Sequence, residues 1–288
     1  MSYDWTSLCI VRYDARMNRA GRRSRRTVVM NQKGGAGKTT TVGQTAHRAV
    51  KRGKRVLIVE CDPQGNSTLA FTQYKAGAHE ARPPCSLADV LDPRTKRPTE
   101  EAIVHTHREG LDILPGGFKD LQAVADNLIS QMGAERRLST ALEAVDDHYD
   151  HILFDTRPAS DLITRNAMWA ADNAVIVTEA LEWSVSGLKL SLETIAEMRE
   201  YVDKDLPIAG FVVNRFQSKR IDEIKWMEWI RAASAQQGIP ILGLPVPFYA
   251  ELSRLAESGT GIDENPKASP KMAVIGETYD AVLDAITA

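Results

Sequence analysis

Short apolar runs and longer amphipathic stretches alternate along most of this chain. The apolar runs are four to seven residues long and are bounded by turn-forming residues, which is typical of buried strands. They span 27–31, 55–60, 111–114, 151–155, 174–178, 208–214 and 241–245. Helical spacing of apolar residues is clearest over 38–52, 135–147, 184–202 and 219–237. Because strands that alternate with helices form parallel sheets, the pattern predicts an α/β domain with a mostly parallel sheet flanked by helices.

Composition limits the possible function classes. The chain has 288 residues, of which 43% are hydrophobic and 26% charged, so it can bury a large core. Its net charge of -2 demands no polyanionic partner, and a nucleic-acid surface would have to be a local patch. The three cysteines are an odd number without CxxC spacing, which argues against disulfide, zinc and iron–sulfur sites. No apolar run approaches the roughly 18 residues of a membrane span, so we expect a cytoplasmic protein.

The first 26 residues differ from the rest of the chain in charge. They carry seven arginines and two aspartates. We interpret residues 1–26 as a basic, flexible N-terminal extension and residues 27–288 as a single domain. The alternative is that the extension is an auxiliary arm that binds anions.

A glycine-rich segment, GGAGKTT, joins the first predicted strand to the first predicted helix. This strand–loop–helix context is that of a phosphate-binding loop, whose glycines let successive N–H groups face the phosphates. Lys38 is predicted to reach the β- and γ-phosphates, Thr39 to place its hydroxyl on Mg²⁺, and Thr40 to bond a phosphate oxygen further back. The predicted nucleotide-binding residues of this segment are Gly34, Gly35, Ala36, Gly37, Lys38, Thr39 and Thr40.

A second lysine, Lys33, directly precedes the glycines. A flexible ammonium there can contact phosphates of its own site or of a facing subunit. The alternative is a solvated loop lysine.

Two aspartates follow predicted strands. The apolar run 55–60 is followed by Cys61 and then by Asp62. Asp62 is predicted to orient the attacking water or an Mg²⁺-bound water. Asp155 ends the run that begins at His151, and it is predicted to hold Mg²⁺ through water, as a Walker B aspartate does. For each carboxylate, capping of the following helix is the structural alternative.

Three segments, NQKGGAGKTT, VLIVECDPQGNST and YDHILFDTRP, occur in this order. Together they closely resemble the ParA/Soj branch of the ParA/MinD ATPase family. The resemblance implies a mostly parallel sheet of seven or eight strands and a homodimer that closes around ATP and Mg²⁺. It implies that Lys33 crosses to the partner's phosphates, that Asp62 supports hydrolysis and that Asn214 reads adenine. Lys33, Lys38 and Asp62 are thus the expected catalytic residues, and Thr39, Asp62 and Asp155 the expected metal site.

The chain departs from the family pattern at three places. Glu60 stands where an aspartate is usual, and Arg157 replaces the proline that normally follows the DT pair. After Leu244 the chain reads PVPFYAEL, where chromosomal relatives carry arginines that help to bind DNA. Candidate DNA contacts are therefore sought on the C-terminal helices, and they are Lys219, Arg220, Lys225, Arg231 and Arg254.

The leading functional hypothesis is a DNA-partition ATPase. Its ATP-bound dimer would hold nonspecific DNA of the nucleoid through phosphate contacts, and a ParB-like partner would stimulate hydrolysis and release. A ParA-like protein that positions a protein cargo is an alternative within the same mechanism. A reductase ATPase of the nitrogenase iron-protein type would need cluster cysteines, and no cysteine follows Asp155.

The rival from another class is a membrane-positioning ATPase of the MinD type. That function uses a basic amphipathic C-terminal helix against anionic lipid. Residues 272–288 contain no lysine or arginine and three acidic residues, so no membrane partner is expected. Their apolar positions are predicted to pack on the sheet, and they are Val274, Ile275, Tyr279, Val282, Leu283 and Ile286.

Overall fold

The computed structural model describes residues 24–74 and 82–288. Its sheet has seven strands in the order β3-β4-β2-β5-β1-β6-β7. The strands are β1 (Arg25–Met30), β2 (Val56–Cys61), β3 (Val104–His105), β4 (Leu111–Leu114), β5 (His151–Thr156), β6 (Asn173–Glu179) and β7 (Ile208–Asn214). Every neighbouring pair is parallel except the short edge pair of β3 and β4. The predicted α/β class and sheet are confirmed.

Helices cover both faces of this sheet. They are α1 (Lys38–Lys51), α2 (Asn66–Phe71), α3 (Leu87–Leu91), α4 (Thr99–Ala102), α5 (Lys119–Leu128), α6 (Arg137–Ala141), α7 (Leu162–Ala170), α8 (Glu182–Val202), α9 (Ile221–Gln237), α10 (Ala250–Glu257) and α11 (Pro270–Thr287). Alternate residues of each strand face opposite cores, as the two-residue period of a strand requires. Val28 of β1 packs in the core under α3, α5 and α7, whereas Val29 packs in the core under α1 and α11.

The C-terminal helix α11 contributes Val282, Leu283 and Ile286 to the core that also contains Val29. Ile275 and Tyr279 are buried as predicted, but in a separate cluster with Leu252 of α10, and Val274 is 45% exposed. No helix in the described ranges is both long and apolar enough to cross a membrane.

The first strand begins earlier than predicted. Residues 1–23 of the predicted extension lie outside the described residues, but Arg25 and Arg26 form the start of β1. Arg26 is fully buried, and its Nε lies 3.0 Å from Asp146 Oδ1. The predicted strand 27–31 therefore starts two residues earlier, at Arg25, because the ion pair with Asp146 allows the buried Arg26 to lie in a strand.

The predicted strand 241–245 was wrong. Ile241 makes only an isolated bridge to Phe211. Proline lacks the N–H that a strand needs, and Pro240 precedes this run while Pro245 is its last residue. Gly243, with φ of 66°, also interrupts the extended backbone.

The predicted helix 135–147 is broken into α6 and two flanking 3-10 turns. The side chain of Asn166, from α7, explains the break near its start. Its Nδ2 donates to the Ala134 carbonyl and its Oδ1 accepts from the Leu138 N–H, at 2.9 and 3.0 Å. These are the two groups that an α-helical bond would join, so a tertiary contact replaces a helical one.

His151, the first residue of β5, makes stability depend on pH. Burial lowers its pKa from 6.5 to about 4, although Asp150 opposes the shift. The unfolded chain therefore binds this proton first, and stability falls as pH drops from 6.5 toward 4. Between pH 7 and pH 5 the free energy of unfolding, measured in urea, should decrease. We expect this decrease to be smaller in His151→Gln than in the unsubstituted chain, by on the order of 1 kcal/mol. His148→Gln, at a 56% exposed side chain, is the control, and an equal effect there would contradict the assignment.

Candidate active site

The glycine-rich loop lies at the carboxyl edge of β1 and leads into α1. Gly35 and Gly37 have φ of 78° and 97°, a backbone region that favours glycine. The loop forms one wall of a cleft of about 600 Å³, which Lys38, Thr39 and Asp62 also line. The structure thus brings the predicted phosphate loop and the first predicted aspartate to one cleft.

Gly37 is required by a close neighbour. A Cβ on this residue would lie 1.8 Å from Nδ2 of Asn214, the last residue of β7. That buried amide donates to the Ala36 carbonyl at 2.9 Å, and its oxygen accepts from the Arg215 N–H at 2.9 Å. In this structure Asn214 therefore supports the glycine-rich loop by contacts with Ala36 and Gly37. Its adenine-reading role stays a prediction.

This contact makes a steric prediction. Gly37→Ala is expected to displace Asn214 and the loop, and to weaken binding of a fluorescent ATP analogue by at least about tenfold. Gly53→Ala is the matched control, because Gly53 also has a positive φ, 74°, but nothing lies within 4 Å of its added Cβ. Equal loss in both variants would mean that backbone strain, and not the Asn214 contact, causes the effect.

Lys38 and Asp155 are buried near each other in the site, and the charge of each affects the pKa of the other. Lys38 Nζ donates to the carbonyls of Asn31 and Lys33, each at 3.2 Å. Burial lowers the pKa of Lys38, while Asp155 and Asp62 act to raise it. Burial also raises the pKa of Asp155 to about 6, against hydrogen bonds from Ser67 and Thr39 and the charge of Lys38.

The residues at Asp155 fit a divalent cation. Asp155 Oδ2 accepts from Ser67 Oγ at 2.7 Å, whereas the buried Oδ1 has no hydrogen-bond partner among the described residues. A buried carboxylate oxygen without a partner is costly, and a hydrated Mg²⁺ would satisfy it. The Thr39 hydroxyl, which acts on the pKa of the same carboxylate, would offer a second oxygen ligand of the type that Mg²⁺ prefers.

Asp62 follows β2 and lies at the cleft wall, partly exposed. Its Oδ1 accepts from the Gln64 N–H at 2.9 Å, which leaves the other oxygen for a ligand or water. Its roles in metal binding and catalysis stay predictions.

Glu60 positions the segment that carries Asp62. This fully buried carboxylate accepts from the N–H groups of Asp62, Ser67 and Thr68, at 3.1, 2.7 and 3.1 Å. It therefore caps α2 and fixes the turn between Asp62 and that helix. Burial raises the pKa of Glu60 well above its usual range, and the nearby Asp155 carboxylate adds to the shift. The departure from aspartate noted in the sequence is thus a structural cap.

Lys33 lies against its own chain in this structure. Its Nζ donates to Glu179 Oε2 at 2.5 Å and to Ser184 Oγ at 2.8 Å. Arg215 Nη1 lies 3.6 Å from the other oxygen of Glu179 and lines the nucleotide cleft. Contact of Lys33 with a partner's phosphates stays a prediction.

Sequence reasoning missed Glu179 and Arg215 as site residues. Each stands at the end of a strand, which is where ligands bind in parallel sheets, so position alone could have flagged them. The other departure, Arg157, bonds Gln122 of α5 at 2.6 Å and Asp161 at 3.0 Å. It therefore ties the segment after β5 to α5.

The candidate DNA contacts lie on the protein surface. Lys225 and Arg231 are exposed on α9, and Lys219 is exposed just before it. Arg220 pairs with Asp222 at 2.8 Å and Arg254 is exposed on α10. All five are open to solvent, and their DNA contacts stay predictions.

Comparison with known proteins identifies the family. A family model described as an AAA domain matches residues 24–208. The sporulation initiation inhibitor protein Soj of Bacillus subtilis is 33% identical over 244 residues, which cover 80% of this chain and 92% of Soj. The chain belongs to the ParA/MinD family of P-loop ATPases.

Two further proteins are similar to this chain, one in sequence and one in structure. The uncharacterized protein Rv1708 of Mycobacterium tuberculosis is 31% identical over 195 residues, 67% of this chain. The match spans only 58% of that relative's own length. Cobyrinic acid a,c-diamide synthase from Mycobacterium smegmatis, solved with an ATP analogue and magnesium, has a TM-score of 0.68. It is 27% identical, and the match covers 82% of this chain and 91% of that one. The ATP analogue and magnesium of that structure correspond to ATP and Mg²⁺, the two cofactors that the sequence of this ParA/MinD ATPase predicts.

Proposed function

We propose that this chain is a dimerising ATPase switch that binds nonspecific DNA in its ATP state and partitions DNA with a ParB-like partner. The observation that carries the proposal is the convergence of two lysines of one phosphate loop, Lys33 and Lys38, with Asp62 and Asp155 at one sheet edge. Similarity to relatives that are named chromosome partitioning protein ParA supports the partition role.

Each site residue has a chemical task in ATP hydrolysis. The loop N–H groups and Lys38 bind the phosphates, and the amino end of α1 favours their negative charge. Thr39 and Asp155 would hold Mg²⁺, which supplies charge neutralisation on the phosphates when bound. Asp62 orients the attacking water, and Glu60 holds Asp62 in place.

Lys33 is the residue that would couple ATP binding to dimerisation. In this structure the ammonium is paired with Glu179, whose side chain is 7% exposed. Phosphates in the seam of a dimer would compete with this carboxylate for the lysine. ATP binding and dimerisation would thereby be coupled, and loss of the γ-phosphate would return Lys33 to Glu179.

The DNA-bound state requires phosphate contacts only. Lys219, Lys225, Arg231 and Arg254 are exposed and would be doubled in a dimer, so scattered cations can add up to a useful affinity. Such binding carries no sequence information and weakens steeply with salt.

The deciding experiment compares binding of the protein to DNA and to lipid under three nucleotide conditions. Retention on random-sequence DNA and pelleting with anionic liposomes are measured with ATP, with ADP and without nucleotide. Retention on DNA only with ATP is the expected result. Liposome binding without DNA binding would overturn the proposal in favour of a MinD-like function. Binding to neither would favour positioning of a protein cargo by another route.

A further inference from the structure

A second cavity lies far from the nucleotide cleft. It has a volume of about 820 Å³, and we call it the basic groove. One wall is the loop 92–98 after α3, and the other is the segment 133–144, which contains α6. The Thr99 hydroxyl donates to the Ala141 carbonyl at 2.6 Å and joins the two walls. The second wall is followed by Asp146, which pairs with Arg26 at the amino end of β1, so the groove lies at the sheet edge opposite the phosphate loop.

The charge of the groove is positive. Four cations line it, namely Lys96, Arg97, Arg136 and Arg137, against the carboxylates of Asp92 and Glu100. Asp92 is already committed, since Arg94 bonds both of its oxygens at 2.7 to 3.1 Å. Arg97 pairs with Glu101 at 2.8 Å, which leaves Lys96, Arg136 and Arg137 as the cations available to a ligand, against the single carboxylate of Glu100.

Two of the cations are held in place without a carboxylate partner in the described part of the chain. Arg136 stacks over the Trp169 ring at 4.4 Å, and Arg137 Nη2 donates to Gln131 Oε1 at 2.8 Å. Arg137 Nε is buried and has no hydrogen-bond partner among the described residues. A buried guanidinium N–H without an acceptor is costly, and an acidic ligand would supply the acceptor.

The loop wall is also fixed. Lys96 has a positive φ of 49°, and its N–H donates to the Asp92 carbonyl at 3.1 Å. Positive φ is uncommon for a residue with a side chain, and it persists where the surrounding structure imposes it. The ammonium of Lys96 is exposed, and no hydrogen bond or ion pair joins it to the described residues.

The shape and lining of the groove decide the kind of partner. Val90, Pro93, Ala141 and Ala144 supply apolar surface between the cations. Double-stranded DNA contacts phosphates on broad, open surfaces, and single strands use aromatic platforms, but no aromatic residue of the described ranges lines this groove. The basic N-terminal extension would be repelled by it, which excludes that segment as the occupant.

We propose that the basic groove binds an acidic segment of a partner protein, with carboxylates on its cations and apolar side chains against its floor. The proposal is independent of the nucleotide-dependent function, because the groove shares no lining residue with the nucleotide cleft. Acidic residues spaced by apolar ones are the chemistry that this lining complements.

The test uses the full chain and a fluorescein-labelled synthetic peptide in which pairs of acidic residues alternate with leucine. Fluorescence anisotropy is expected to show saturable binding that weakens with salt. Lys96→Glu and Arg137→Glu are each expected to weaken it by at least about fivefold. Lys267→Glu, at an exposed lysine outside the groove, is the matched control and should change little. A peptide with glycine in place of leucine tests the apolar floor and should bind more weakly.

Several results would overturn the proposal. They are absence of saturable binding, equal loss in Lys267→Glu, and unchanged binding in the folded groove variants. Loss of duplex DNA binding in the groove variants, without loss of peptide binding, would instead assign the groove to DNA. Circular dichroism and ATP turnover of each variant report folding, and Lys96→Glu covers the case in which the partly buried Arg137 variant does not fold.

Discussion

Lys38→Ala is expected to abolish ATP binding, with a loss of at least about a hundredfold in affinity for a fluorescent ATP analogue. Lys38 is buried, with 7% of the residue exposed, and its ammonium donates to the carbonyls of Asn31 and Lys33, which places it in the phosphate loop. Its removal also leaves Asp155 without its nearby cation, which raises the pKa of that carboxylate further and weakens metal binding.

Lys51→Ala is the control for this prediction. Lys51 is the last residue of the same helix and is exposed, so the substitution removes the same charge without touching the cleft. It should leave affinity within about twofold. Binding by Lys38→Ala at the level of this control would contradict the phosphate-binding role of Lys38.

Local sequence was enough to predict the phosphate loop. Its glycines, Lys38 and Thr39 are contiguous, and their function depends on one strand and one helix that carry clear periodic signals. Asp62 and Asp155 were placed at the same edge because parallel strands end together, and the structure brings both to the site. These predictions needed no knowledge of strand order.

The contacts that brace the loop depend on strand order, which the sequence pattern does not contain. β7 is six strands away from β1 in sequence but only two away in the sheet, and this brings Asn214 next to Gly37. The pairing of Lys33 with Glu179 likewise requires β6 to lie beside β1. The residues are visible in the sequence, but their distances arise only from tertiary packing.

Side chains that interrupt the backbone pattern were the other source of error. Asn166 takes over a helical hydrogen bond in the segment 135–147, and a periodicity argument cannot anticipate a bond from another helix. Arg26 enters a strand because Asp146 pairs with it, although a charged residue alone favours a loop. Both errors come from polar groups that are satisfied by residues distant in sequence.

Asp62→Ala is expected to reduce ATP turnover by at least about a hundredfold while leaving ATP binding intact. Without the carboxylate, the attacking water loses its orientation, so the ATP state should persist and the protein should stay on DNA in the presence of ATP. Steady-state phosphate release and the lifetime on DNA after dilution measure the two effects.

Asp62→Asn separates the chemical role from the structural one. An asparagine oxygen can still accept from the Gln64 N–H, so the turn after β2 is kept while the charge is lost. Equal loss of turnover in both variants would assign the effect to the charge near the phosphates. Normal turnover in Asp62→Asn would mean that Asp62 acts by holding the turn, and normal turnover in Asp62→Ala would remove it from the mechanism. Because Glu60 fixes the same segment through three N–H groups, both variants should keep the native fold.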